Sequence, residues 1–327
     1  MVPVPSFVNL IDAKTDPQYG KEPKDRTIQE HLALGLVPID KPCGPSSHEV
    51  GSWVKCITGA SKSGHSGTLD PGVSGVLPVA LDDATKALAF LLKSDKEYVG
   101  LMRFHMQVDA VRVRKLFSEN LGKIEQLPPV RSAVKRVKRE RHIYSLELIE
   151  LDGRDALFRV SCEAGTYIRK LCHDIGKRAG TGANMVELRR TRAAGFAEDD
   201  CCTLQEISDA VWLWKEGGNE SELRRLVLPI ENSLDFRRMF IVDGAIESIC
   251  SGAQLALPGV VMFEEGIGRG ETVMLMSLKG ELVAVADALM DSAQMESEKK
   301  GFVAKTRRVV MKKGTYPRSW RKHESQT

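Results

Sequence analysis

Residues 64–81, GHSGTLDPGVSGVLPVAL, constrain this chain more than any other stretch. Gly64, Gly67, Gly72 and Gly75 admit backbone angles that side chains forbid, and Pro71 fixes the chain just after a lone carboxylate, Asp70. His65, Ser66 and Thr68 add local hydrogen-bonding groups, and an apolar, strand-like run follows. A turn this constrained holds one carboxylate in one place. Taken alone, it also suits an ordinary glycine- and proline-rich loop whose Asp-Pro step is turn chemistry.

The rest of the composition narrows the classes. With 327 residues, 42% hydrophobic and 28% charged, the chain is long enough for two globular domains. A net charge of +3 does not by itself argue for nucleic acid, so the distribution of charge matters more. No apolar run reaches the ~18 residues of a membrane span. Pro3, Pro5 and Asp12 interrupt the start of the chain, which does not read as a signal peptide, and a cytoplasmic protein is expected. The seven cysteines form no CxxC pair and the seven histidines are scattered, so reduced thiols and neither a metal nor a cofactor are expected.

In chain order, residues 1–34 are polar and proline-bearing and read as an arm. GLVPID (35–40) is a short strand. Ser46 and Glu49 stand at capping-box spacing before a helix whose Val50, Trp53, Val54 and Ile57 share one face, which places Trp53 in the core. Residues 82–93 read as an amphipathic helix and 96–104 as a strand, where Tyr98 by itself is a half-buried core residue. Residues 108–119 read as a solvated helix. Residues 128–144 carry Arg131, Lys135, Arg136, Lys138, Arg139 and Arg141 against one Glu140. With Val134 and Val137 interleaved, this segment would pack on one side and present cations to phosphates on the other.

Residues 144–151 and 156–162 read as a hairpin about Asp152-Gly153. Thr166 is the expected N-cap of a helix with Ile168, Leu171, Cys172 and Ile175 inside and Gly180 at its end. Arg169 lies in the first turn, where the helix dipole mildly disfavours a cation. After a strand near 185–190 and helices at 203–214 and 221–227, a boundary falls near Ser233. Short β-like runs around one helix (244–251) then suggest a small β-barrel. The expected fold class is mixed α/β (α+β), a central, mostly antiparallel sheet followed by that barrel.

Several pieces in order carry a family resemblance. HSGTLDPGVSG resembles the catalytic loop of the TruB family of pseudouridine synthases. Asp40-Lys41-Pro42, KEY (96–98), GTYIRKLCHDIG from Gly165, LRRTRAAGF from Leu188 and the terminal KKGTYPRSW extend the likeness over roughly residues 30–320. The archaeal-type dyskerin branch, the enzyme of H/ACA guide-RNA particles, is the most similar. Ser46 stands where threonine is commoner, and GVSG lacks a usual basic residue, which removes one phosphate contact.

The resemblance implies an RNA pseudouridine synthase acting on rRNA and tRNA, tRNA uridine-55 included. It assigns Asp70 to the glycosidic bond, as nucleophile, oxocarbenium stabiliser or acceptor of a sugar proton. Arg169 would hold that carboxylate ionised through a bidentate contact in a site that excludes water. Tyr98 would stack on the extruded base, with its phenolic oxygen a candidate base at C5. His65 would wedge the RNA, Leu188 would pack in the site, and Lys96, Arg131 and Lys135 would contact substrate. The implied domains are an arm (1–34) on the C-terminal domain, a catalytic domain (35–233), a PUA RNA-binding domain (235–320) and a tail (321–327), with 128–144 as a closing loop. Implied partners are guide RNA and three small proteins: a zinc-ribbon peptide, a β-barrel protein and a kink-turn binder.

Three rivals stay in view. A stand-alone tRNA pseudouridine-55 synthase lacks such an arm and the GTYPRSW ending. An inactive RNA-binding scaffold predicts erosion at Asp70, Tyr98 or Arg169, and all three are present. A PUA-bearing methyltransferase needs a glycine-rich cofactor unit; GIGRGE (266–271) lacks its strand-before, helix-after context.

Overall fold

The computed structural model describes residues 5–128 and 137–317, so Arg131, Lys135 and Arg136 lie outside the described residues. The chain forms two compact units. One contains Val37–Ala80 and Leu88–Leu226; the other contains the chain up to Leu36, Leu81–Ala87 and everything from Val227 onward.

The strand Lys96–Phe104 sits at the centre of the first unit. It pairs antiparallel with Asp155–Cys162 on one side and Ala183–Ala193 on the other. Its side chains alternate between core and surface, the period-two pattern of a strand with one buried face. The sheet continues outward through Arg139–Asp152 to Gly122–Gln126 on one flank and through Ser74–Leu81 on the other. Only the short contact of Ser74–Leu81 with Ala183–Ala193 in this group is parallel. The central sheet is therefore mostly antiparallel, as expected.

Helix Ile168–Ala179 lays Ile168, Leu171, Cys172 and Ile175 on the sheet beside Met102, Phe104 and Phe158. Helix Ala110–Ser118 is not solvated all round: Val113, Leu116 and Phe117 join the same core, with Phe117 edge-on to Phe158. Helix Ser47–Thr58 has the expected capping box, but its buried stripe is Ser47, Val50, Gly51, Val54 and Thr58. Trp53 is 45% exposed, so its expected core position is wrong. Small residues define the contact face here, and an apolar pattern does not see them.

The second unit is a seven-stranded sheet curled around Met239, Ile246, Phe263, Leu275, Val285 neighbours such as Ala284 and Ala286, and Val303. The N-terminal strand Phe7–Asn9 pairs with Val260–Glu264, and Arg237–Ile241 runs parallel to Thr272–Ser277. Strand Phe302–Val309 and helix Ser292–Ser297 were not anticipated, because neither shows a clean apolar period. Where one helix was expected over 82–93, a 3-10 turn (Asp82–Ala87) precedes a short α-helix (Leu88–Leu91), and Asp82 has a left-handed φ of 38°. A cavity of about 270 Å³ in this unit is bordered by Lys21, Arg26, Glu30, Leu282, Met311 and Lys312, none of them among the expected site residues.

Candidate active site

The Asp70 turn is held by its backbone rather than by its side chains. Ser47 Oγ accepts from Leu69 N at 2.8 Å and donates to Leu69 O at 3.0 Å. Lys41, fully buried, donates from Nζ to Pro71 O at 3.2 Å and Val73 O at 2.8 Å. Gly44 N donates to Pro71 O, and Val73 N closes the turn onto Asp70 O, both at 2.9 Å. Ser66 N is tied to Pro78 O at 3.0 Å. Bonds on both sides of Asp70 leave its carboxylate little room to wander, and the side chain itself projects outward.

Arg169 meets it there. Its Nη2 donates to Asp70 Oδ2 across 99 residues of sequence. Both side chains are more than half exposed, 57% and 56%, so the expected water-excluding enclosure is absent in the chain alone. The contact is also single rather than bidentate. Asp70 lies on a surface turn and Arg169 at the open start of a helix, which explains both differences.

That helix begins one residue later than expected. Thr166 Oγ1 donates to Glu163 O at 2.7 Å, so it does not cap the helix, and Tyr167 is the N-cap residue. Tyr167 has no side-chain cap of its own. The buried amide of Gln126 takes that role: Oε1 accepts from Tyr167 N at 2.9 Å and Nε2 donates to Tyr167 O at 3.1 Å. Gln126 thus fixes the turn from which Arg169 springs. It stands at the end of a strand, just before a Pro-Pro pair, and its residue type alone carries no such signal.

Tyr98 is 9% exposed and packs with Leu69, Val73, Ile168 and Leu188. Burial raises its phenol above the usual range, and the charge of Arg190 acts in the opposite sense. Arg190 stands directly across from Tyr98 on the neighbouring strand. Its guanidinium, 1% exposed, also donates to Val76 O and Gly67 O, each at 2.8 Å. Sequence reasoning missed Arg190. The signal was available: residues two apart on a strand face the same way, so Leu188 and Arg190 go together.

The remaining expected residues separate. Leu188 is buried opposite Gly100, whose missing side chain makes room for it. His65 is partly buried near the turn, with Nε2 3.3 Å from Thr68 Oγ1. Burial lowers its pKa, helped by the positive fields of His48 and Arg190. Lys96 is 5% exposed and its ammonium donates to Leu92 O at 2.8 Å and to Ser94 O. That placement engages Lys96 with backbone rather than with an open cleft. Burial, then Arg190, pushes its pKa down to about 8. No group of three or more metal-ligating side chains occurs among the described residues, and no helix among them is long and apolar enough to cross a membrane.

Residues 55–168 match the N-terminal domain of TruB family pseudouridylate synthases, and residues 169–235 match the C-terminal domain of tRNA pseudouridylate synthase B. Residues 237–310 match the PUA domain, and residues 10–51 the DKCLD domain. A probable tRNA pseudouridine synthase B of Pyrobaculum calidifontis is 49% identical over 97% of this chain and 95% of its own. A chain solved in a Cbf5-Nop10-Gar1 complex is 44% identical, with a TM-score of 0.88 over 97% of both chains. One solved in an H/ACA RNP bound to a substrate RNA containing 2′-deoxyuridine is 41% identical, with a TM-score of 0.87 over 98% of both. With identity at this level along nearly the whole length, and a buttressed aspartate facing arginine where the family motifs fall, the chain belongs to the TruB family of pseudouridine synthases, isomerases that act on RNA.

Proposed function

We propose that this synthase is the catalytic subunit of an H/ACA guide-RNA particle, working in the cytoplasm on rRNA and tRNA uridines. The observation that carries the reading is the near full-length likeness to chains solved in a Cbf5-Nop10-Gar1 complex and in an H/ACA RNP with substrate RNA. The partners are guide RNA and small accessory proteins, including a zinc-ribbon peptide, a β-barrel protein and a kink-turn binder. Residues 1–34 serve as the arm, 35–233 as the catalytic domain and 235–320 as the PUA domain. Base pairing with the guide selects the uridine while the protein grips RNA backbone, the division of labour seen in RNA-guided nucleases.

The reaction breaks the uracil N1–C1′ bond, turns the base and joins C5 to C1′; the C5 proton leaves and N1 gains one. Asp70 acts at the sugar, where positive charge develops as N1 departs. Arg169 pairs with the carboxylate and keeps it aimed. Enclosure by RNA would strengthen their attraction, which at present exposure is worth about 0–1 kcal/mol. Tyr98 and Leu188 form the buried wall against which the extruded base rests, and His65, beside the turn, occupies the gap it leaves. Extrusion costs on the order of a few kcal/mol, offset by stacking and phosphate contacts. Lys96 supports the site from within, and Arg131 and Lys135 contact RNA backbone.

A second reading, a stand-alone tRNA synthase, is favoured by the name of the Pyrobaculum relative. Tritium release from RNA labelled at uracil C5 separates the two. Release from a guide–target pair with accessory proteins, but not from a tRNA T-loop alone, is expected; release from the T-loop alone supports the second reading. Asp70→Asn should abolish release while RNA binding persists. Failure of the wild-type protein to release tritium from either substrate, despite tight binding, would leave a scaffold.

A further inference from the structure

Of the cations in residues 128–144, Lys138, Arg139 and Arg141 lie among the described residues. Lys138 pairs with Glu125 at 2.7 Å. Arg141 is placed differently. On strand Arg139–Asp152 it shares a face with Arg139 and the buried Ile143, across from Ile124. Ile143 packs in the core that also holds Tyr98 and Leu188, so Arg141 stands on the active-site face of the sheet. Its guanidinium lies against Gly165, four residues before Arg169. A Cβ on Gly165 would sit 3.1 Å from Nη2 and 3.3 Å from Nε, and Gly165 has a φ of 81°, so space and conformation both call for glycine here.

Arg141 is held from one end of its guanidinium. Nη1 donates to Glu140 O at 2.8 Å and stands 3.6 Å from Glu163 Oε1. Glu163 Oε2 in turn accepts from His142 N at 3.1 Å, which keeps the acid in place. Nε is buried and has no hydrogen-bond partner, and Nη2 has no acceptor among the described residues. The side chain is 19% exposed. A buried donor left without an acceptor is a cost that an apolar residue would avoid. An arginine kept there in spite of it is held for what its remaining N–H groups can bind. With its stem packed and one end fixed, the guanidinium has little side-chain freedom left to lose, and its donors suit phosphate oxygens.

We propose that Arg141 binds a backbone phosphate of the RNA close to the target uridine, with Nη2 as the donor and Gly165 as the wall that aims it. The inference rests on the RNA reaction proposed above. Four residues span at most about 14 Å, so the contact falls near the Arg169–Asp70 pair. Arg139, opposite Gln126, and Arg169 add positive charge around the same turn, against Glu163, and that balance suits an anion.

The test measures binding of a guide–target RNA pair to the full chain with its accessory proteins, between about 50 and 200 mM salt. One phosphate contact fewer takes roughly 0.7–0.9 off the slope of log affinity against log salt. Arg141→Gln should therefore bind about tenfold more weakly at the low end and only about threefold more weakly at the high end. Arg141→Lys keeps the charge and should keep most of the slope. A uniform loss across the range, or none, overturns the proposal and leaves Arg141 a support for the Arg169 turn. Unaltered RNA binding with loss of an accessory protein overturns it too, and makes the partner an acidic side chain. On the wild-type chain, RNA should shield Arg141 from phenylglyoxal, read by mass spectrometry, which decides the matter even if Arg141→Gln does not fold. Equal modification with and without RNA sinks the contact. Tritium release is followed on the same RNA. Wild-type protein that binds with the steeper slope but releases no tritium brings down the reaction and leaves the contact standing, whereas release with an unchanged slope in Arg141→Gln brings down the contact alone.

Discussion

Three cations lie buried around one exposed carboxylate. Lys41, Lys96 and Arg190 are 0%, 5% and 1% exposed; Lys41 and Arg190 spend donors on carbonyls of the turn and its flanking strand, and Lys96 on Leu92 O and Ser94 O just before its own strand. Burying a charge costs several kcal/mol unless oxygens replace its water. For Lys41 and Arg190 those oxygens belong to the turn that must be held, so these two charges act as clamps. Lys96 also gives the arrangement a measurable pH signature. Its pKa falls from 10.5 to about 8 in the folded protein. Between those values the unfolded chain binds more protons, so the stability contributed by this site rises with pH through that window. The rise is at most about 3 kcal/mol, and the carbonyls that solvate the ammonium reduce it. Urea unfolding near neutral pH and near pH 10 should show a rise in wild type that is absent in Lys96→Met. Equal pH dependence in the two proteins would mean that Lys96 is not depressed.

Among the elements, the helix that presents Arg169 depends on a residue from another strand. The Gln126 amide pairs with both the N–H and the C=O of Tyr167, as a short piece of strand would. Gln126→Leu keeps the bulk but takes the acceptor from Tyr167 N at a helix start that has no side-chain cap, while Tyr167 O still accepts from Leu171 N at 3.0 Å. That N–H costs about 1–3 kcal/mol if it stays buried without a partner, so the variant should lose about that much. Because Arg169 rides on that turn, tritium release should fall by more than about tenfold, since small misplacements of reacting groups carry large rate costs. Denaturant unfolding and single-turnover release on the same variant check both halves. Full stability with full activity would show that water satisfies Tyr167 just as well.

At the scale of the molecule, local signals and long-range ones had different fates. The turn around Asp70, the Tyr98 strand and the Arg169 helix were legible because each is specified by neighbours in sequence. Their supports were not: Arg190 depends on strand register plus a one-residue bulge, and Gln126 meets Tyr167 across 41 residues. Trp53 misled because an apolar pattern ranks a tryptophan above Ser47, Gly51 and Thr58, which with Val50 and Val54 form the actual contact face. The unit that contains both termini has its own hidden long-range link. Arg26 and Glu231 lie 205 residues apart and form a two-armed ion pair at 3.1 and 2.7 Å, with side chains 4% and 5% exposed. Glu231 Oε1 also accepts from Leu282 N at 3.0 Å, which ties the pair to the sheet. Arg26→Met strands a buried carboxylate with one amide for company, and should cost about 3–5 kcal/mol. Adding Glu231→Gln removes the stranded charge and should restore most of that loss, because exchanging both members of a buried pair is often close to neutral. Hydrogen exchange at the Leu282 amide, read beside denaturant unfolding, should follow the same order: fast in the single variant, slowed again in the double. A single variant within about 1 kcal/mol of wild type would mean that water reaches Glu231, and that the arm is held by its strand pairing and apolar contacts instead.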